Sequence, residues 1–288
     1  MAEKDPGAAK TNQLARSRTA EFYVGLVTTM ETVLTLDKRP LSPTCAASCD
    51  YLVRQDNLRV LADAPFGMLA EFETDAEITE IPSLPDDWRL QLGSALRQAS
   101  IGTLPRTVVE GALRDHTTGV ASTQKTVEEV LGGKFGNLYR KHAEFSDLMA
   151  DPECEGYAFA IAKYEAAKMG LAPPNGRVAF VADLALAVPR LKPTLAGVIR
   201  ANLFTGWHAA HHGQMPFQND LKTILPALRF DVVLTADRGL EKRGRRIFPE
   251  LPWGRPNSWE PGDLAEWMLE RLKKHEEPEP WGSKAPSQ

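Results

Sequence analysis

Between Arg177 and Arg246 the apolar spacing of the chain changes several times, and this alternation restricts the fold more than any other feature. It is preceded by Ala172-Pro173-Pro174-Asn175-Gly176, a run of turn formers through which no helix continues. RVAFVAD then reads as a short buried strand with Asp183 at its carboxyl end. PTLAGVIRANLFTGWHAAHH reads as a long helix, and NDLKTIL carries an Asn/Asp start signal before an apolar run. DVVLT is a β-branched strand, followed directly by DRGLEKRGRR. Strand, helix, helix, strand is the order that builds a parallel sheet, so residues 172–250 are expected to form an α/β core.

The preceding residues, 18–171, read as mainly helical and as contributing part of that core. The pattern runs through TAEFYVGLVTTMETVLTLD, a segment opening at Ser42-Pro43, and PDDWRLQLGSALRQA, where Pro85, Asp86 and Asp87 make a helix start. ASTQKTVEEVLGGKFGNLYRKHAEFSDLM contains Gly132-Gly133 and is expected to be two helices or one broken one. Residues 251–275 read as a helical extension. Residues 1–17 and 276–288 are polar or rich in Pro and charge, and are expected to be disordered.

With 43% apolar and 25% charged residues the chain has ordinary globular composition, which excludes wholesale disorder. Charges and prolines interrupt every apolar run before the roughly 18 residues a spanning helix needs. The N-terminal residues lack an apolar core and cleavage site of the secretory type, so a cytoplasmic protein is expected. Cys45 and Cys49 are spaced for one helix face and Cys154 is remote; this is not a zinc-knuckle pattern, and reduced buried thiols are expected.

In a parallel sheet, groups just beyond the carboxyl ends of strands converge on one crevice. Asp237 follows DVVLT, and Asp220 opens the preceding helix. Carboxylates gathered there repel one another unless a cation neutralises them, and hard oxygen ligands suit Mg²⁺ or Mn²⁺. Taken singly, an Asp at a helix start is usually a cap and an Asp after a strand a turn residue.

The sequence here, Asn219-Asp220 followed by DVVLTAD ending at Asp237, resembles the closing motif of PIN-like nucleases over residues 177–249, most closely over 215–243. The resemblance implies a Rossmann-like α/β/α sandwich with a parallel sheet, carrying here a large helical N-terminal portion or insertion. It further implies acidic residues holding Mg²⁺ or Mn²⁺, and hydrolysis of RNA phosphodiester bonds by a metal-activated water. Asp63, ending LRVLAD, matches the family's first acidic residue, with Asp183 as substitute; LVRQDNLRVLADAPF also reads as the end of a helix. Glu110, in RTVVEGALR, matches the middle acidic residue. On this reading Asp63, Glu110, Asp220 and Asp237 are catalytic, Asp63, Asp220 and Asp237 bind metal, and Asn219 and Thr235 hold the carboxylates in place.

Residues 238–246 add Arg238, Lys242, Arg243, Arg245 and Arg246 against Glu241, a basic patch placed to hold an RNA backbone or simply a solvated helix face. His208, His211 and His212 in WHAAHHG form a second constellation, in which His208 and a later His lie one turn apart. That spacing fits a two-imidazole metal site or an ordinary polar helix end before Gly213. The P-loop, nucleophile-elbow and dinucleotide fingerprints are absent. Trp253, Trp259 and Trp267 are expected to staple the C-terminal part onto the body. Three functions follow as alternatives: a metal-dependent endoribonuclease, an inactive PIN-like module binding nucleic acid or protein, and a His-based metallohydrolase. The helical N-terminal region fits a homodimer or protein-partner surface.

Overall fold

A computed structural model describes residues 22–25, 58–61, 64–76, 136–213, 224–230, 233–235, 237–251 and 253–254, with isolated positions between 78 and 111 and at 221 and 270. The chain order begins with β1 (Phe22–Gly25), β2 (Leu58–Leu61) and α1 (Ala64–Glu73). It continues through α2 (Gly136–Lys141), α3 (Phe145–Met149), α4 (Glu153–Lys168), α5 (Asn175–Ala187) and α6 (Pro193–His212). A 3₁₀ turn at Leu225–Arg229 precedes β3 (Val233–Leu234), α7 (Arg238–Ile247) and β4 (Trp253–Gly254).

The long helix expected at PTLAGVIRANLFTGWHAAHH is present and forms the centre of the described body. Pro193 occupies its first turn, where a missing N–H costs nothing, and Gly213 ends it at φ 65° with its N–H donating to Ala209 O. Leu195, Ile199, Leu203 and Phe204 are fully buried, and so are residues on the other sides, as expected of a helix apolar all round. Two of its polar members bond within the helix: Thr205 Oγ1 donates to Ala201 O at 2.7 Å and Asn202 Nδ2 to Val198 O at 2.8 Å. The other helices of the body, α1, α2, α4, α5 and α7, pack against α6. One continuous apolar core runs from Met68 and Phe72 on α1 to Phe248, Leu251 and Trp253.

The expected α/β/α sandwich is not what the chain forms. The described residues are mostly helical, with four short strands. Among the described residues the strands form two separate two-stranded parallel pairs, β1 with β2 and β3 with β4, rather than one parallel sheet. RVAFVAD is not a strand but the middle of α5. Val178, Val181, Ala182 and Ala185 are the buried positions, a spacing of three and four that defines one helix face. The following LALA extends the run well past strand length, and the Pro-Pro-Asn-Gly run serves as the helix start, with Pro174 O accepting from Arg177 N and Val178 N. The preceding helix, α4, stops before Gly170, which takes φ 75°.

Two further corrections concern the strands. FYVG, expected within a helical stretch, is β1, in register with LRVL: Phe22 pairs with Leu58 and Val24 with Val60. LRVL is thus a strand, as the sequence before Asp63 left open. DVVLT does contain a strand, and its partner is Trp253–Gly254, from the segment expected to be helical. Strand, helix, strand over 233–254 forms a minimal β-α-β unit around α7.

Residues 1–17 and 276–288, the Gly132-Gly133 break, Cys45, Cys49, Trp259 and Trp267 lie outside the described residues. Cys154 is buried, its thiol donating to Leu148 O at 2.8 Å, and burial pushes that thiol up to about 11. Among the described residues no helix is long and apolar enough to cross a membrane.

Candidate functional site

Asp237 lies between β3 and α7, where the sequence placed it, and its carboxylate is engaged by its own helix. Oδ1 accepts from Gly239 N at 2.6 Å and from Leu240 N at 3.0 Å, an N-cap that satisfies two otherwise orphaned donors. Those two bonds, with nearby Arg243, hold the carboxyl below its ordinary range. Thr235 is buried, and its Oγ1 accepts from Asp237 N at 3.1 Å, so it sets the backbone on which Asp237 sits.

Asp63, Glu110, Asn219 and Asp220 lie outside the described residues, so their convergence on Asp237 is not on view. Asp183, the substitute for Asp63, is exposed on α5 rather than at a strand end, which removes the reason for choosing it. Among the described residues no three His, Cys, Asp or Glu side chains group as a metal site would require.

The basic residues after Asp237 are all placed by α7. At about 100° of rotation per residue, Arg238, Lys242, Arg245 and Arg246 fall within about 100° of arc on one side. Leu240, Gly244 and Ile247 occupy the opposite side, where Gly244 and Ile247 are buried. All four cations are exposed, whereas Arg243 sits between the two faces, partly buried. Arg245 is shared with Glu241 at 3.0 Å and with Trp253 O at 2.8 Å. Arg246 pairs with Glu144 at 3.1 Å and stacks over the Trp207 ring at 4.7 Å, joining α7 to the end of α6.

At that end the histidines gather around Trp207, whose indole N–H donates to His142 O at 3.0 Å. His208 and His212 rings lie 4.5 Å apart, while His211 lies over Trp207 at 5.1 Å. His211 Nδ1 is 2.9 Å from Trp207 O, a back-bond to the preceding turn.

A cluster the sequence reading passed over lies at the opposite end of α6. That helix has no Ser, Thr, Asp or Asn at its N-cap; Lys192 stands there. Glu71 of α1 supplies the cap from afar: Oε1 accepts from Thr194 N and Oε2 from Leu195 N, both at 2.8 Å. Arg229 Nη2 donates to the same carboxylate at 2.8 Å and Arg229 Nε to Thr194 Oγ1 at 2.9 Å. Burial pushes the Glu71 carboxyl up and the Arg229 guanidinium down, and each partner opposes the other's shift. Buried Lys192 donates to Thr74 O, so α1 is tied to the start of α6 from two sides. The signal available in sequence was the missing cap before Pro193-Thr194, which requires a carboxylate or hydroxyl from elsewhere.

Compared with protein-family models, curated proteins and solved structures, the chain matches none.

Proposed function

We propose that the protein binds RNA along its phosphate backbone through the exposed side of α7. The observation that supports this is the grouping of Arg238, Lys242, Arg245 and Arg246 on one face of a single helix. A phosphate backbone is a line of evenly spaced negative charges, and a line of cations that displaces its counterions gains affinity in proportion to the contacts made. Arg245 and Arg246 are held by Glu241, Glu144 and Trp207, which fixes their guanidinium groups instead of leaving them to sweep solvent. The chain as a whole carries a formal charge of −4, so attraction to RNA is local to this face. A cytoplasmic setting belongs to the same reading.

The experiment is fluorescence anisotropy with a labelled single-stranded RNA across a series of salt concentrations. Four phosphate contacts give a slope of log K against log salt of about −3. Arg238→Ala with Lys242→Ala should weaken binding at least tenfold and flatten the slope by about 1.4. Unchanged affinity and slope would remove the proposal.

Metal-dependent hydrolysis is the second reading, favoured by the position of Asp237 between a parallel strand and the basic helix. It draws on Asp63, Glu110 and Asp220 together with Asp237 as the acidic set, with Mg²⁺ or Mn²⁺ as the ion. Incubating RNA with the protein and either metal separates the two: cleavage abolished by Asp220→Ala and Asp237→Ala, with the fold retained, is the nuclease; binding without cleavage is the inactive module.

A further inference from the structure

We infer that His208 and His212 form a two-imidazole site for a divalent transition metal of the zinc class at the C-terminal end of α6. Neither residue belongs to the RNA-binding face. The two residues are one helical turn apart, so their side chains leave the same face one above the other. Their ring centroids are 4.5 Å apart. Two imidazoles sharing a tetrahedral zinc, each at about 2.0–2.1 Å, have their ligating nitrogens about 3.3 Å apart, a separation that rings so placed reach by side-chain rotation.

The surroundings favour a cation at this end. The last turn of a helix carries the negative pole of its dipole, and α6 ends here at Gly213. The charge of Arg246, which lies over the Trp207 ring, is offset by Glu144 at 3.1 Å. His212 is exposed and His208 half-buried, so the pair has one side toward solvent and one against Phe204, whose ring is 5.7 Å from His208. His211 is excluded from the pair by its own geometry, since it is turned over Trp207 and bonded to Trp207 O. Two protein ligands leave the remaining coordination positions to water or to an anion, which makes this an open site and not a closed structural one.

The test is a zinc chloride titration of the full-length protein followed by isothermal calorimetry, with thermal unfolding as a second readout. Binding that depends on these two imidazoles predicts one zinc ion per chain beyond what the His208→Ala/His212→Ala double variant takes up. Each single change, His208→Ala or His212→Ala, should weaken that site at least tenfold, and His211→Ala should alter it less than twofold. Saturating zinc should raise the unfolding midpoint of the wild type and of His211→Ala but not of the double variant. His212→Ala alters an exposed side chain and keeps the comparison interpretable if His208→Ala weakens the fold. Zinc uptake equal in wild type and double variant, or lost equally in His211→Ala, overturns the inference.

Discussion

Glu71 and Arg229, 158 residues apart in sequence, meet at 2.8 Å with side-chain exposures of 0% and 3%. The pair closes over the first turn of α6, and the same carboxylate caps two backbone N–H groups there. Removing one member leaves the other charge buried without its partner, the costly case for a buried ion pair. Glu71→Ala should therefore lower unfolding stability by about 3–5 kcal/mol, read from urea denaturation. The double change Glu71→Met with Arg229→Met should recover a large part of that loss. If Glu71→Ala costs under about 1 kcal/mol, the pair does not anchor α6.

The cap at Asp237 is separable from any role in binding or chemistry. Asp237→Ala removes the acceptor for two N–H groups and should destabilise by about 0.5–2 kcal/mol, whereas Asp237→Asn, still a good cap, should cost less. Should both variants lose RNA cleavage or binding while Asp237→Asn stays as stable as wild type, the carboxylate acts beyond capping.

Acid should weaken the fold through two carboxylates held below their ordinary range. Asp151 accepts from Lys141 at 2.8 Å and from Glu153 N at 2.9 Å and lies 2.7 Å from His142 Nε2; Asp237 caps α7. A carboxyl with a folded pKa below its unfolded value adds stability that is complete above about pH 4 and is lost as pH falls toward the folded value. Glu71 has the opposite sign: its raised pKa favours the protonated folded state, so its contribution declines as pH rises from about 4.5 toward the raised value. Denaturation midpoints measured from pH 7 down to pH 3 should fall, and Asp151→Asn and Asp237→Asn should each flatten that fall. An acid limb unchanged in both variants would contradict this assignment.

Close approach around α6 depends on glycines, Gly197 and Gly206 among them. A Cβ at Gly197 would run into Leu225 O, a backbone atom, and one at Gly206 into the Tyr139 ring. Backbone yields less easily than a ring, so Gly197→Ala should cost more than Gly206→Ala, with overpacking of about 1–3 kcal/mol as the scale. Equal midpoints for both variants and the wild type in thermal unfolding would show that the 3₁₀ turn at Leu225–Arg229 can move away freely.

Local signals were strongest where one element satisfied itself. The α6 boundaries were visible because Pro193 and Gly213 bracket an apolar run, whereas the basic stretch after Asp237 read only as a charged patch that a helix face could present, and α7 turns four of its five cations outward. RVAFVAD misled because seven apolar-rich residues fit a buried strand as well as a buried helix, and only the continuation through LALA distinguishes them. FYVG misled in the other direction: four residues are too few to show a period, and what makes them a strand is LRVL, lying 36 positions further on in register, Phe22 to Leu58. Of the candidate carboxylates, Asp237 was correctly placed by the strand before it, while Asp183 was displaced to an exposed helix face by the same misread segment.

Composition and spacing alone determined that this chain has a sizeable apolar core, a long central helix and a basic stretch directly after an Asp. These follow from local rules, since caps, periodicity and charge act within a few residues. Tertiary structure alone decided that the described strands form two separate parallel pairs, that Glu71 caps a helix more than a hundred residues later, and that Arg246 meets Trp207. Those outcomes depend on which surfaces are buried against each other, and burial brings together residues whose separation along the chain carries no record of the meeting.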